Sequence, residues 1–191
     1  KKLLRAALAS FSTQGYAATS MRHIEASAGV KNRLINYHFG SKQALWTAAA
    51  DHMMCINEED QGIALNNIIQ IAPESRLHFF THTPTKFSAR HPELNRLMIQ
   101  EGINCDWRFN WLLERSVQRW YKQVRKLFDE ARAPGVVPDT SAQHSHYILT
   151  GAATLMFSNA AEVQALSGQN PLDVAAVEAH GNAVAKLFKP I

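Results

Sequence analysis

Apolar residues recur at intervals of three and four along nearly the whole chain. One such stripe comprises Ile148, Ala152, Leu155, Val163 and Leu166, with the polar Asn159 between Leu155 and Val163, at spacings of four, three, four, four and three. This spacing is that of one face of an α-helix, whereas a half-buried strand alternates apolar and polar residues. Alternating β-branched runs and hairpin turn signals are scarce. The sequence therefore predicts an all-α protein, and 191 residues suffice for one or two compact domains.

The first part of the chain divides into short predicted helices separated by glycines. They run from about 4 to 15, 20 to 29, 31 to 38 and from 41 to about 56. Thr19 or Ser20 supplies a hydroxyl cap for the second helix, and Gly29 is a typical helix end. The second and third helices are joined by a tight turn at that glycine. We therefore place a first domain at residues 1–45.

The remaining residues, 46–191, are predicted to form a larger helical domain. Its expected helices cover about 66–71, 74–80, 92–105, 107–131, 140–166 and 172–188. Breaks are predicted at Pro134-Gly135 and at Pro171, because proline and glycine interrupt helices. The sequence begins within a predicted helix, so we expect that an N-terminal segment precedes it in the natural protein.

Positive charge is concentrated at the N-terminus. Residues 1–50 carry seven Lys and Arg against Glu25 alone, although the net charge of the whole chain is only +4. A compact basic module favours a polyanion as partner, while a basic stretch without further pattern is often only solvated surface. The helical pattern within the stretch decides between these interpretations.

Two short helices joined by a glycine turn in a basic segment are typical of a helix-turn-helix, whose second helix enters the DNA major groove. The third predicted helix carries side chains that can pair with base edges, namely Lys31, Asn32, Arg33 and Asn36. Tyr37, His38 and Lys42 follow within reach of phosphates. A solvated helix is the alternative interpretation of this set.

This segment resembles the TetR family of bacterial transcriptional regulators. The resemblance rests on the runs 11–16, 18–24, 28–30 and 37–42 and on Leu45, and it covers about fifty residues. It implies a three-helix DNA-binding domain followed by a ligand-binding and dimerisation domain. It further implies DNA contacts by Thr19, Ser20, Arg22, Lys31, Asn32, Arg33, Leu34, Asn36, Tyr37, His38 and Lys42. The working interpretation is a repressor that binds a near-palindromic operator as a homodimer and is released by a small-molecule effector.

Three positions depart from the family's usual pattern. Glu25 stands where the family usually has alanine, so either its side chain points outward or the angle between the second and third helices differs. Asn36 replaces the usual tyrosine and makes contact with adenine more plausible than contact with phosphate. Leu34 replaces a small hydroxyl residue and could touch a thymine methyl or belong to the core.

A ligand pocket is predicted from large apolar side chains in the second domain. They are Phe79, Met98, Trp107, Trp111, Trp120 and Met156. Apolar walls with a few polar groups are typical of small-molecule sites, and this hypothesis rests on the family resemblance more than on spacing. For any single member, ordinary helical core is the alternative. We expect a partly apolar effector.

The last two predicted helices are rich in alanine and glycine, which allow close helix packing. Two such helices from each of two chains could form a four-helix interface, as the resemblance implies, and a buried core hairpin is the alternative. The homodimer is thus predicted to form through these C-terminal helices.

Other function classes find little support in the sequence. Catalytic signatures such as GxSxG, HExxH or a Walker motif do not occur, so we predict no enzyme and no cofactor. The pairs His78/His82 and His144/His146 lack a third ligand, and no metal site is predicted.

No apolar run is long enough for a membrane span. Cys55 and Cys105, without CxxC spacing, favour a reduced cytoplasmic protein. A sequence-indifferent nucleoid-type DNA binder and a metal-dependent sensor remain alternatives.

Overall fold

A computed structural model describes the backbone of residues 1–30, 34–68, 73–132, 135, 137 and 139–188. Side chains are described for the same residues except 34, 61–68, 73–80, 127 and 131. Every regular element within these ranges is helical, which confirms the predicted all-α class.

The helices follow one another through short connections. They are α1 (Lys2–Ala18), α2 (Met21–Ala28), α3 (Leu34–Phe39), α4 (Lys42–Ile68), α5 (Pro73–Arg90), α6 (Pro92–Asn104), α7 (Trp107–Leu112), α8 (Gln118–Arg132), α9 (Ala142–Ser158), α10 (Ala160–Ser167) and α11 (Val174–Leu187). A π-helical turn, Leu113–Val117, joins α7 to α8 without a break. None of these helices combines the length and the apolar character that a membrane span needs.

Helices α1 to α3 pack together around buried Phe11, Ile24 and Ile35. The helical backbone of α1 is interrupted at Gly15, whose φ of 79° lies in a region that glycine adopts most easily. The predicted end of the first helix therefore coincides with this interruption. One short helical turn beyond it leads into α2.

A hydrophobic core continues from the N-terminal helices into the rest of the molecule. Helix α4 contributes Leu45, Trp46 and Met53, and the same cluster includes Phe87 of α5 and Leu112 of α7. The predicted boundary between residues 45 and 46 lies inside α4. A smaller cluster around Val124, Phe128, Val137, Leu149, Val184 and Phe188 joins α8, α9 and α11.

Several helix bounds differ from the sequence expectations. Helix α4 continues to Ile68, so the predicted end near residue 56 is wrong, and residues 69–71 of the separate helix expected there lie outside the described residues. Pro84 lies within α5, so His82 and Thr83 are helical although a proline disfavours this conformation for the residue directly before it, Thr83. The long helix predicted for 140–166 is broken at Asn159, whose φ and ψ of −108° and 33° are not helical.

The C-terminal helices combine a buried and an exposed side. Helix α11 packs on α5 and α9, where its side chains Val177 and Val184 are buried. At Gly181 a β-carbon would lie 2.7 Å from the His82 ring, so α11 and α5 approach too closely there for a larger residue. The opposite side of α9 and α11 is exposed and includes Ile148 and Leu155.

Candidate functional site

Helix α2 is delimited by the two signals expected from the sequence. Ser20 Oγ accepts a hydrogen bond from the backbone N–H of His23 at 3.1 Å, which caps the first turn. Gly29 ends the helix in the left-handed region, with φ 63°. Arg22 lies on the exposed side of this helix. The short α2 is thus fixed at both ends and presents a cation to solvent.

Helix α3 is held against α2 by Glu25. Its side chain is only 6% exposed, and Oε1 accepts a hydrogen bond from the backbone N–H of Ile35 at 3.1 Å. A carboxylate at a helix N-terminus also interacts favourably with the helix dipole. Of the two alternatives drawn from the sequence, the outward orientation is therefore wrong.

The far side of α3 is open to solvent. Asn36, Tyr37 and His38 are all exposed, with 84% of the Tyr37 surface accessible, whereas Ile35 is fully buried. Three of the predicted base-facing residues, Lys31, Asn32 and Arg33, lie outside the described residues, and so does the Leu34 side chain. The described part of α3 thus presents an amide, a phenol and an imidazole on one surface.

Thr19 and Lys42, which the sequence predicts to contact DNA, form hydrogen bonds within the protein. Thr19 is 1% exposed, and its Oγ1 donates to the carbonyl oxygens of Gly15 at 2.7 Å and Ser10 at 3.2 Å. Its side chain therefore closes the end of α1 and is shielded from a duplex. Lys42 Nζ donates to the Ala17 carbonyl at 3.2 Å and lies 4.6 Å from the centre of the Tyr16 ring. Partial burial, together with nearby Arg108, lowers the pKa of Lys42.

Trp107 and Trp111 lie at the junction between the N-terminal helices and the body. Both rings meet Trp46 edge to face, at centroid distances of 5.3 and 5.6 Å, and Trp107 also meets Tyr16. Trp46 itself is 1% exposed. These two predicted pocket residues therefore pack against Trp46 where α7 meets α4, with Trp111 partly buried and Trp107 still 36% exposed.

A buried ion pair stands beside this aromatic cluster. Arg108 Nε donates to Glu101 Oε2 at 2.7 Å, and the guanidinium lies 4.4 Å from the centre of the Tyr16 ring. Burial raises the pKa of Glu101, while Arg108 opposes that shift. The Gln100 side chain adds a hydrogen bond to the Ser12 carbonyl at 3.1 Å. Helices α6 and α7 thus contact α1 through a hydrogen bond, a cation–π interaction and an aromatic contact.

A cavity of about 210 Å³ lies in the body among α4, α5, α6, α8 and α9. Its described walls are mostly apolar and include Met54, Phe87, Leu94, Met98, Val117, Trp120, Val124 and Leu149. Met98 and Trp120 were predicted for a pocket and line this one. Met156 is half-buried on α9 without lining it, and the side chain of Phe79 lies outside the described residues.

The cavity wall also contains a few polar groups. Asn95 Nδ2 and His146 Nδ1 are buried, and neither has a hydrogen-bond partner among the described residues. Burial lowers the pKa of His146, so the ring is neutral at pH 7. Asp60 lies in the same wall and pairs with Arg90 at 2.8 Å.

The π-helical turn connects this cavity with α4. Ser116 and Val117 of the turn line the cavity, while Arg115 of the same turn reaches α4. Arg115 Nε lies 2.6 Å from Asp51 Oδ1, and Nη1 lies 2.7 Å from Glu58 Oε1. The hydrogen bond to Asp51 raises the pKa of Arg115. Insertions of this kind occur frequently at functional sites.

Comparison with known proteins places the N-terminal geometry in a family. The sequence model described as "Bacterial regulatory proteins, tetR family" matches residues 3–49. The transcriptional repressor NicS of Pseudomonas putida is 26% identical over 103 residues, or 53% of this chain. Residues 3–49 of the chain are therefore similar to the TetR family. The match spans about half the length of NicS, 47% of that protein.

Two solved structures share the fold over nearly the whole chain. AibR, in complex with isovaleryl coenzyme A and operator DNA, superposes with a TM-score of 0.75 at 18% identity, covering 99% of this chain and 97% of AibR. The ketosteroid transcriptional regulator KstR2 of Mycobacterium tuberculosis gives 0.75 at 17% identity, covering 99% and 94%. At these identities the similarity establishes the fold.

Sequence reasoning missed several residues that the fold brings together. The contacts of Arg115 could have been anticipated, because Asp51, Cys55 and Glu58 are spaced to share one face of α4 and form a complement for a cation. Asn95 and His146 have no comparable signal, since only tertiary packing brings α6 and α9 to one cavity. Among the described residues, no group of three or more His, Cys, Asp or Glu side chains could hold a metal ion.

Proposed function

We propose that the protein is a transcription regulator, acting as a repressor, that binds a near-palindromic operator and is released by a small-molecule effector. The observation that carries this proposal is the α2–α3 unit, in which Glu25 fixes α3 while Asn36, Tyr37 and His38 face solvent. Such an arrangement suits a helix that enters the major groove. NicS, a repressor, is 26% identical over 103 residues of the chain.

In this proposal residues 1–45 bind DNA and residues 46–191 hold the effector and the dimer interface. Arg22, Tyr37 and His38 are placed to contact phosphates, and Asn36 to contact a base edge. Lys31, Asn32, Arg33 and Leu34 complete the proposed base-facing set. Lys42 serves as a phosphate contact only after its ammonium leaves the Ala17 carbonyl.

The proposed homodimer uses the exposed side of α9 and α11. On α9 this side includes Ile148 and Leu155, and on α11 it presents Ala175, Ala179 and Ala183 at four-residue spacing. Small side chains let helices approach closely, and exposed apolar residues gain from being covered. A two-fold dimer would present two recognition helices to successive major grooves, about 34 Å apart.

The proposed switch runs from the cavity to α4. The π-helical turn lines the cavity through Ser116 and Val117 and holds α4 through Arg115, so a ligand that moves the turn also moves the N-terminal end of α4. AibR, in complex with an acyl-coenzyme A and operator DNA, shows that this fold can take both kinds of ligand. The extent of the shift is limited by the difference in effector affinity between the two states.

The direct test is selection of bound duplexes from a random pool at near-physiological salt, with non-specific competitor DNA. The expected result is an enriched near-palindrome with half-sites about one helical turn apart. An Asn36→Ala variant should relax base preference at one position, whereas Arg22→Ala should weaken binding to all sequences. Equal affinity for selected and competitor DNA would instead indicate a sequence-indifferent binder and overturn the proposal.

A further inference from the structure

We propose that the cavity between α4, α5, α6, α8 and α9 binds an uncharged, mainly apolar molecule of one or two rings that carries a hydroxyl or amide group, with Asn95 and His146 as its polar contacts. This inference rests on the proposed function in one respect, namely that such a molecule would be the effector. It names the chemical class of that effector from the described wall of the cavity.

The size of the cavity limits the ligand. Its volume of about 210 Å³ exceeds the roughly 150 Å³ of an engineered apolar cavity that accepts benzene. The extra volume is enough for ring substituents or for a second small ring. Side chains from five helices supply the wall, with Met54, Phe87 and Trp120 giving large apolar contact areas. The ligand is therefore compact.

The charges near the cavity disfavour an anion. Asp60 is the acidic side chain among the described lining residues, and its carboxylate is already paired with Arg90 at 2.8 Å. His146 is neutral at pH 7 because burial lowers its pKa. A ligand carboxylate or phosphate would thus lose its hydration and meet a carboxylate of the same sign. A ligand cation would have to compete with Arg90 for Asp60.

Two nitrogen atoms in the wall specify the polar part of the ligand. Asn95 Nδ2 is a donor, and His146 Nδ1 is a donor or an acceptor according to the ring tautomer; both are buried without a partner among the described residues. A buried polar atom without a hydrogen bond is costly, so a ligand that satisfies either atom gains affinity over an apolar analogue. A hydroxyl group both donates and accepts, and an amide offers both functions on adjacent atoms.

The rings beside His146 limit how it can move. Tyr121 and Tyr147 both meet it edge to face, at centroid distances of 5.1 Å. The imidazole is thus held between two aromatic side chains, and its position is set before a ligand arrives. A preformed polar group costs less to engage than a mobile one.

The experiment compares three probes that share one methyl-substituted benzene ring against the full chain without DNA. They are p-cresol, toluene and the anion p-toluate, and binding is measured by isothermal titration calorimetry at pH 7.5. We expect p-cresol to bind about three- to tenfold more tightly than toluene, because one net hydrogen bond is added. We expect p-toluate to bind at least about tenfold more weakly than p-cresol. Preference for the anion, equal binding of cresol and toluene, or no binding of any probe would each overturn the inference.

Two variants locate the preference within the cavity. His146→Phe and Asn95→Leu should each reduce the ratio of p-cresol to toluene affinity, and together they should bring it close to one. The matched controls are His144→Phe on α9 and Asn104→Leu on α6, both at exposed positions outside the cavity wall, and both should keep the ratio of the parent chain. An unchanged ratio in a folded double variant would contradict the assignment of these two residues. The comparison of probes on the parent chain needs no variant and remains decisive if a variant is unstable.

The outcome is independent of the DNA experiment. If the selection enriches an operator while the probes show no preference for the neutral hydroxyl compound, the ligand class is wrong and the regulator function stands. If the probes bind in the expected order while no operator is enriched, the cavity assignment stands and the function as an operator-binding regulator fails.

Discussion

The N-terminal residues and the C-terminal helices differ in how far their large apolar side chains are exposed. Among the described side chains of residues 1–50, Tyr37 is the large apolar residue left exposed, and it lies on the proposed DNA-facing surface. In residues 142–188 the exposed set comprises Tyr147, Ile148, Leu155, Leu166, Leu172, Val174 and Leu187. The first region buries its apolar surface within the chain, whereas the second keeps apolar surface available for another molecule.

The strongest test of this contrast is Trp46→Ala in the junction core. Trp46 is 1% exposed and meets two other tryptophans, so truncation leaves a large cavity. We expect the free energy of unfolding to fall by about 3–5 kcal/mol. Urea unfolding at several protein concentrations should show the same loss at each one, because the residue stabilises the chain itself. A loss below about 1 kcal/mol would contradict this packing.

Leu155→Asp tests the opposite region. Leu155 is 54% exposed on α9, so the substitution costs little within one chain but places a charge in the proposed dimer interface. We expect the dimer dissociation constant to rise at least about tenfold, measured by sedimentation equilibrium. Ile103→Asp on α6, where 77% of the side chain is exposed, is the matched control and should leave dimerisation unchanged. Equal effects of the two variants on the dimer dissociation constant would contradict the proposal that α9 lies in the interface.

Glu25→Ala examines how the N-terminal unit orients its recognition helix. Removing the carboxylate leaves the Ile35 N–H buried without an acceptor, and we expect a loss of about 1–2 kcal/mol in the free energy of unfolding. Operator affinity should fall as well, because the position of α3 is then less well fixed. Glu25→Gln retains an oxygen acceptor and should recover most of both losses. A glutamine variant no better than alanine would show that charge, not the hydrogen bond, matters.

The contact between the π-helical turn and α4 can be measured by a double-mutant cycle on Arg115 and Asp51. With side chains 25% and 45% exposed, the pair is partly screened by solvent, and we expect a coupling energy of about 0.5–1 kcal/mol for Arg115→Met with Asp51→Asn. The pair Arg125 and Asp129, more exposed and 3.7 Å apart, serves as control and should give less. Urea unfolding measures both coupling energies. Equal values for the two pairs would contradict the claim that Arg115 couples the π-helical turn to α4.

The smallest expected effect concerns pH. Burial lowers the folded-state pKa of His146 below its ordinary value of 6.5, so this residue's contribution to stability is present above pH 6.5 and is lost as the pH falls through the lowered pKa. His146→Phe should therefore lose less stability than the parent chain between pH 7.5 and 5.5 in urea unfolding. The exposed-site variant His144→Phe should follow the parent chain. Identical losses in all three proteins would contradict the burial of a neutral His146.

The sequence predicted local features well because their causes are local. The cap at Ser20, the end of α2 at Gly29 and the interruption at Gly15 each depend on a few neighbouring residues. The all-α class likewise follows from spacing along the chain. Ordinary helix signals place the exposed residues Asn36 and Tyr37 on one short helix, and these signals do not depend on tertiary contacts.

Features set by distant residues were not predictable in this way. The family resemblance implies a DNA contact by Thr19, but tertiary packing buries its hydroxyl against the Ser10 carbonyl. The family resemblance favours Trp107 and Trp111 as pocket residues, and only the approach of α7 to α4 shows that both rings pack against Trp46. The helix predicted through Asn159 has apolar residues at helical spacing on both sides of that asparagine, and this spacing does not predict the bend there.

The π-helical turn at Leu113–Val117 also fixes the rotational phase of α8. A turn closed by i to i+5 hydrogen bonds holds one residue more than an α-helical turn, and each residue advances a helix by about 100°. Removing one residue from this turn would leave the helix continuous but rotate Trp120 and Val124 about a quarter of a revolution around its axis. The wall of the cavity therefore depends on the number of residues in the turn as well as on which side chains α8 carries. With one residue fewer, the same side chains would face a different part of the protein.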